Sequence, residues 1–113
     1  MSSLDTQKLN TIFELLENPR RRYVLYSLRR NAASMELDSL AERVAELEAS
    51  DASARADDDH VRTVRVALHH VHLAKLADAG VVSHEPGRET VELAETEGFD
   101  RFLDQAVRVD CPM

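Results

Sequence analysis

The stretch His72-Leu73-Ala74-Lys75-Leu76-Ala77-Asp78-Ala79-Gly80-Val81-Val82 decides the fold. Ahead of it, apolar residues recur with helical spacing from about His60 to Ala79. Val61, Val64, Leu68 and Val71 make one stripe, widened by Val66, Leu73 and Leu76. Gly80 then stops the helix, because glycine readily takes the left-handed conformation that closes a helix C-terminus. Val81-Val82-Ser83-His84 and Thr90-Val91-Glu92-Leu93 flank Pro86-Gly87, the pattern of two short strands joined by a turn. A helix that runs directly into a β-hairpin is therefore expected.

Working outward, the N-terminal half supplies the helices that such a unit needs. Leu9, Ile12, Phe13, Leu15 and Leu16 predict an amphipathic helix over about 5–17. Asn18-Pro19 ends it and opens the next, since Asn caps a helix and Pro suits its first position. Tyr23, Val24, Leu25, Tyr26 and Leu28 carry that second helix to about Asn31. Met35-Glu36-Leu37 reads as a small strand, and Asp38 or Ser39 as the cap of a third helix with Leu40, Ala41, Val44, Ala45 and Leu47 inside. From Glu48 to Asp59 the pattern dissolves into Ala, Ser and Asp, a solvated loop. Phe99, Phe102, Leu103, Ala106 and Val107 predict a last helix over about 95–108.

The 113 residues fit one domain, 1–113, with a core over about 8–95 and the last helix appended. The fold class is mainly α with a small β-hairpin wing (α+β), laid out as a winged helix-turn-helix. No apolar run approaches the roughly 20 residues that span a bilayer, so no membrane association is expected. Met1-Ser2-Ser3-Leu4-Asp5 has neither a basic patch nor an apolar core of a leader, and the single Cys111 cannot form an internal disulfide. Both point to a reducing cytoplasm.

The net charge of −7 would ordinarily count against nucleic acid. Its distribution is less one-sided: +3 over residues 1–34, −7 over 35–59, +2 over 60–79 and −5 over 80–113. Only Lys8 and Lys75 are lysine among the 14 basic residues. Acid excess with scarce lysine resembles the surface of proteins from salt-loving archaea, where charges are screened within about 3 Å at 1 M salt.

The stretch from His72 to Val82 also resembles the end of the recognition helix in arsenical-resistance-type winged-helix repressors. There a Leu-x-x-Leu pair, a small residue and Gly lead into the first wing strand. Together with Asn18-Pro19-Arg20-Arg21-Arg22, the chain is similar to an uncharacterised family of haloarchaeal winged-helix proteins. The likeness covers roughly residues 8–95. It implies a dimeric DNA-binding transcriptional regulator. That family often carries Pro where this chain has Ala74, so a straighter helix is expected here.

On this reading His60, Arg62, Thr63, Arg65, His69 and His70 are the candidate readers of the major groove. Arg is well suited to guanine and Thr to base or phosphate. The same residues on any solvated helix would simply be surface cations. Asp57-Asp58-Asp59, just ahead, either repel phosphate or complement the helix dipole. Arg20, Arg21, Arg22, Lys75 and Arg88 are candidates for the DNA backbone, Arg88 from the wing tip. Alternatively, the arginines pair with the chain's own carboxylates. Phe99, Phe102, Leu103 and Val107 either close the core or form a homodimer interface.

His69, His70 and His72, with Cys111, fall short of a metal site, because no spacing supplies three or four convergent ligands. One histidine near the core and two on the surface is the expectation. With three glycines there is no phosphate-cradling loop, and no serine sits in a nucleophile elbow. No enzyme activity and no cofactor are expected. The rival to a DNA-binding regulator is a protein-interaction module on the same scaffold, motivated by the acidic 48–59 segment; a small-molecule or metal sensor is third.

Overall fold

The computed structural model describes residues 6–49, 57–85, 87–94, 96, 98 and 100–111. The chain is mainly helical, with a small three-stranded antiparallel sheet. Its elements run α1 (Thr6–Leu16), α2 (Pro19–Arg30), β1 (Ser34–Glu36), α3 (Leu37–Glu48), α4 (Asp58–Ala67), a π turn (Leu68–His72), α5 (Leu73–Asp78), β2 (Val82–Ser83), β3 (Thr90–Leu93) and α6 (Asp100–Asp110). The expected order of helices and strands is all present. No helix among the described residues is long and apolar enough to cross a membrane.

The junctions follow their local chemistry. Asn18 accepts the Arg20 N–H through its side chain at 2.9 Å and Pro19 occupies the first helical position. After α5, Gly80 has φ +77°; its N–H reaches Ala77 O at 2.9 Å and the Val81 N–H reaches Leu76 O at 2.9 Å. This paired closure satisfies carbonyls that the helix end would otherwise leave open. The cap of α3 differs from expectation. The helix begins at Leu37 with Glu36 in the cap position, because β1 runs straight into it, and the Leu37 N–H is satisfied by Glu89 O across the sheet.

The sheet order is β1-β3-β2, so the hairpin's second strand lies in the middle. Met35 pairs with Val91 and Val82 with Leu93. This register ties the β1 segment, between α2 and α3, to the hairpin far along the chain. Ala32 and Ala33 make the tight link from α2 to β1 at φ 59° and 67°, a left-handed conformation that costs alanine about 1–2 kcal/mol per residue.

Val24, Leu25 and Leu28 of α2, Leu40 and Val44 of α3, Val64, Leu68, Leu73 and Leu76 of the long helical rod, Val91 and Leu103 form one core. Each such side chain contributes roughly 1.5–3 kcal/mol on burial. The apolar stripe expected through Val71 is corrected. Val71 is 44% and Val66 51% exposed, whereas Leu73 and Leu76 are buried as expected and His72 faces inward beside them. The π turn adds one residue at Leu68–His72 and so rotates everything after it. This irregularity lies just ahead of Ala74.

Candidate nucleic-acid interface

The outer ridge of α4 and the π turn carries Asp59, Arg62, Thr63, Val66, His69 and His70, all exposed. Val66, at 51% exposure, interrupts an otherwise polar row. The hairpin continues this surface. The His69 ring stands 6.0 Å from that of His84 at 80°, and His84 Nε2 lies 3.1 Å from Arg88 O. Helix ridge and hairpin thus form one surface.

Every cation on that surface has a carboxylate beside it. Arg62 reaches Asp59 at 3.2 Å, one turn back, and Thr63 donates to Asp59 O at 2.9 Å. Arg65 is held between Asp38 at the start of α3 and Glu89 of the hairpin. Its guanidinium is pushed further up, first by the hydrogen bond to Asp38. Arg88 lies 3.7 Å from Glu85. Asp57 caps α4 by accepting the His60 N–H at 2.7 Å, and Asp58 and Asp59 fill the first turn. These acids complement the helix dipole.

His60 belongs less to the ridge than to a clamp beneath it. Its Nε2 lies 2.9 Å from Glu48, which also receives Arg20 through two bonds of 2.6 and 2.9 Å. Burial works to raise the Glu48 carboxyl, but Arg20 and His60 outweigh it and hold it below the usual range. The clamp fixes the start of α4 to α2 and the end of α3.

The arginine cluster after Pro19 is placed quite differently from a phosphate contact. Arg21 is buried and donates to Leu15 O at 2.7 Å and Glu14 O at 3.1 Å. Arg22 donates to Leu16 O and binds Asp110 through Nε at 2.7 Å. Both reach back across the Asn18-Pro19 corner to satisfy the last carbonyls of α1, where cations are favoured. Arg21 is thus taken up inside the fold, while Arg20 and Arg22 follow the alternative of pairing with the chain's own carboxylates. Lys75 is exposed and lines a groove with Thr11 and Glu14 of α1.

The carboxylate of Asp110 receives Arg22 and the Tyr26 hydroxyl, the latter at 2.7 Å, so α6 is latched to α2. Arg22 holds the Asp110 carboxyl below its ordinary range. Leu103 is fully buried in the chain's own core, the core-closing alternative, and Val107 is partly buried against it. Phe102 remains 39% exposed beside Phe13, at 51%, with ring centroids 5.6 Å apart. Phe99 lies outside the described residues. Cys111 directly follows α6, donates its N–H to Val107 O at 2.8 Å and packs partly against the core.

His72 is the buried histidine, and His69 and His70 are exposed. Among the described residues no three His, Cys, Asp or Glu side chains converge on a metal position. Burial, then the charge of Arg21 3.5 Å from Nδ1, lowers the His72 pKa and keeps the ring neutral. The unfolded chain binds a proton more readily, so stability is retained above about pH 6.5 and falls as the pH drops below it. Denaturant titrations from pH 7.5 to 5.5 should show this loss, and His72→Gln should flatten it. The carboxylates of Glu48 and Asp110 act only at lower pH, outside that window.

A mainly helical domain with a long rod running into a three-stranded sheet is the class that these features define. The chain belongs to the family described as Domain of unknown function (DUF7344), whose model matches residues 13–92. The match runs from α1 to β3, and α6 lies beyond it. No curated protein and no solved structure matches the chain.

Proposed function

We propose that this chain is a winged helix-turn-helix protein that binds double-stranded DNA and regulates transcription as a cytoplasmic homodimer. The observation that carries the reading is positional. The order α2-β1-α3-α4 and the β2-β3 hairpin puts one outward helix ridge beside one hairpin, on a frame set by the β1-β3-β2 sheet. Such a ridge suits the major groove and such a hairpin the flanking backbone. Arg62, Thr63, Arg65, His69 and His70 are the readers, and Arg88 contacts phosphate. The likeness to haloarchaeal winged-helix proteins supports the same reading. The exposed Phe13–Phe102 pair is the surface that a second copy would cover.

A second reading has its own observation. Asp38, Asp57, Asp58, Asp59, Glu85 and Glu89 surround the three arginines of the face, and Val66 and Val71 are exposed on the rod. A basic, partly apolar protein partner fits that surface. Fluorescence anisotropy with labelled duplex DNA separates the two. Arg62→Ala/Arg65→Ala should weaken binding by about 30-fold or more, since each of the two base contacts is worth roughly 1–3 kcal/mol. Equal affinity of variant and parent removes the reading helix from the proposal.

A further inference from the structure

A cavity of about 700 Å³ opens between the C-terminal end of α2 and α6. Arg29, Arg30 and Arg108 line it together with Tyr26, Val107 and Cys111. Its size falls within the roughly 300–1,000 Å³ of ordinary small-molecule sites. Its charge is unusual for a chain of net charge −7. Elsewhere Arg20, Arg22, Arg43, Arg62, Arg65 and Arg88 each sit against a carboxylate, and the exposed Arg101 lies outside the cavity lined by Arg29, Arg30 and Arg108. In the cavity Asp104 is the one lining carboxylate, and it pairs with Arg29 at 2.7 Å. Arg30 and Arg108 have no hydrogen-bonding or ion-pair partner among the described residues.

The bland account is that Arg29 and Arg30 merely complement the C-terminal dipole of α2, but that dipole offsets only about half a charge. A positive excess remains on the exposed Arg30 and Arg108, the latter arriving from a different helix. The rest of the wall is apolar. The Tyr26 hydroxyl is turned to Asp110, leaving ring to the cavity. Burial raises the Cys111 thiol, so it stays neutral and acts as a small hydrophobe.

We propose that this cavity binds a small organic anion, its carboxylate or phosphate monoester held by Arg30 and Arg108 and its apolar body lying on Val107 and Cys111. Guanidinium groups bind either head through paired N–H donors, which gives direction as well as charge. The family match ends at residue 92, so half of this site comes from outside the matched region. Binding here requires no DNA and stands apart from the function proposed above.

Cys111 is the chain's one cysteine and therefore reports on the cavity. Its alkylation by iodoacetamide is followed with benzoate, phenyl phosphate, benzyl alcohol or inorganic phosphate present. A bound ligand at ten times its Kd should slow the reaction about tenfold. Protection by benzoate or phenyl phosphate, absent in Arg30→Gln/Arg108→Gln with an unchanged thermal melt, supports the site, and the better of the two identifies the head group. Should the double variant fail to fold, Arg108→Gln alone gives the comparison. Equal protection by benzyl alcohol or by inorganic phosphate overturns the proposal, as does no protection by either organic anion at 20 mM.

Discussion

Replacing Arg21 by Ala should cost the protein about 2–4 kcal/mol of stability, lowering its melting temperature by about 10–20 °C. The guanidinium is buried and holds the carbonyls of Glu14 and Leu15 at the end of α1, with His72 on its third side. Alanine removes these bonds and leaves the two carbonyls without their donors. Arg21→Lys keeps the charge but loses the fork, so it should recover only part of the loss. The DNA affinity of the folded fraction should be unaltered. A circular-dichroism melt within about 3 °C of the parent would contradict this account of the arginine cluster.

Asp38→Asn/Glu89→Gln should strengthen DNA binding by about tenfold near 0.15 M salt, through removal of two charges of the phosphate's own sign. In the parent protein Arg65 already has its counterions in Asp38 and Glu89. It therefore releases few solution ions when it meets DNA. The variant frees it, so the slope of log affinity against log salt should steepen by about one. Exposed ion pairs contribute at most about 1 kcal/mol to folding, so the variant remains folded. The gain should vanish near 1 M salt. Unchanged affinity across the salt range would mean that phosphate does not approach this face.

The parts of the fold legible in the sequence were those set by near neighbours. Asn18-Pro19, Gly80 and the alternating Thr90–Leu93 run act through local backbone geometry, and each stands where the chain needs it. The π turn left no local mark: Val71 fits a regular helical stripe, and only packing of His72 and Leu73 into the core turns it outward. The arginines were hardest to assign. Residue type announces a cation, but its partner is fixed by distant segments, as with Arg20 and Glu48 or Arg22 and Asp110. The clamp through His60 depends on the same folding together of remote carboxylates. Of the candidate readers, Arg62, Thr63, His69 and His70 lie on one exposed ridge, as helical spacing implies.

The measurement that bears most directly on DNA binding through this face is amide chemical-shift mapping of the labelled protein as duplex DNA is added. Perturbation should concentrate in Asp58–His70 and in the His84–Glu89 turn, and leave the outer faces of α1 and α6 unmoved. Shifts confined to α1 and α6, or none at DNA concentrations that saturate a tenfold weaker complex, would contradict it.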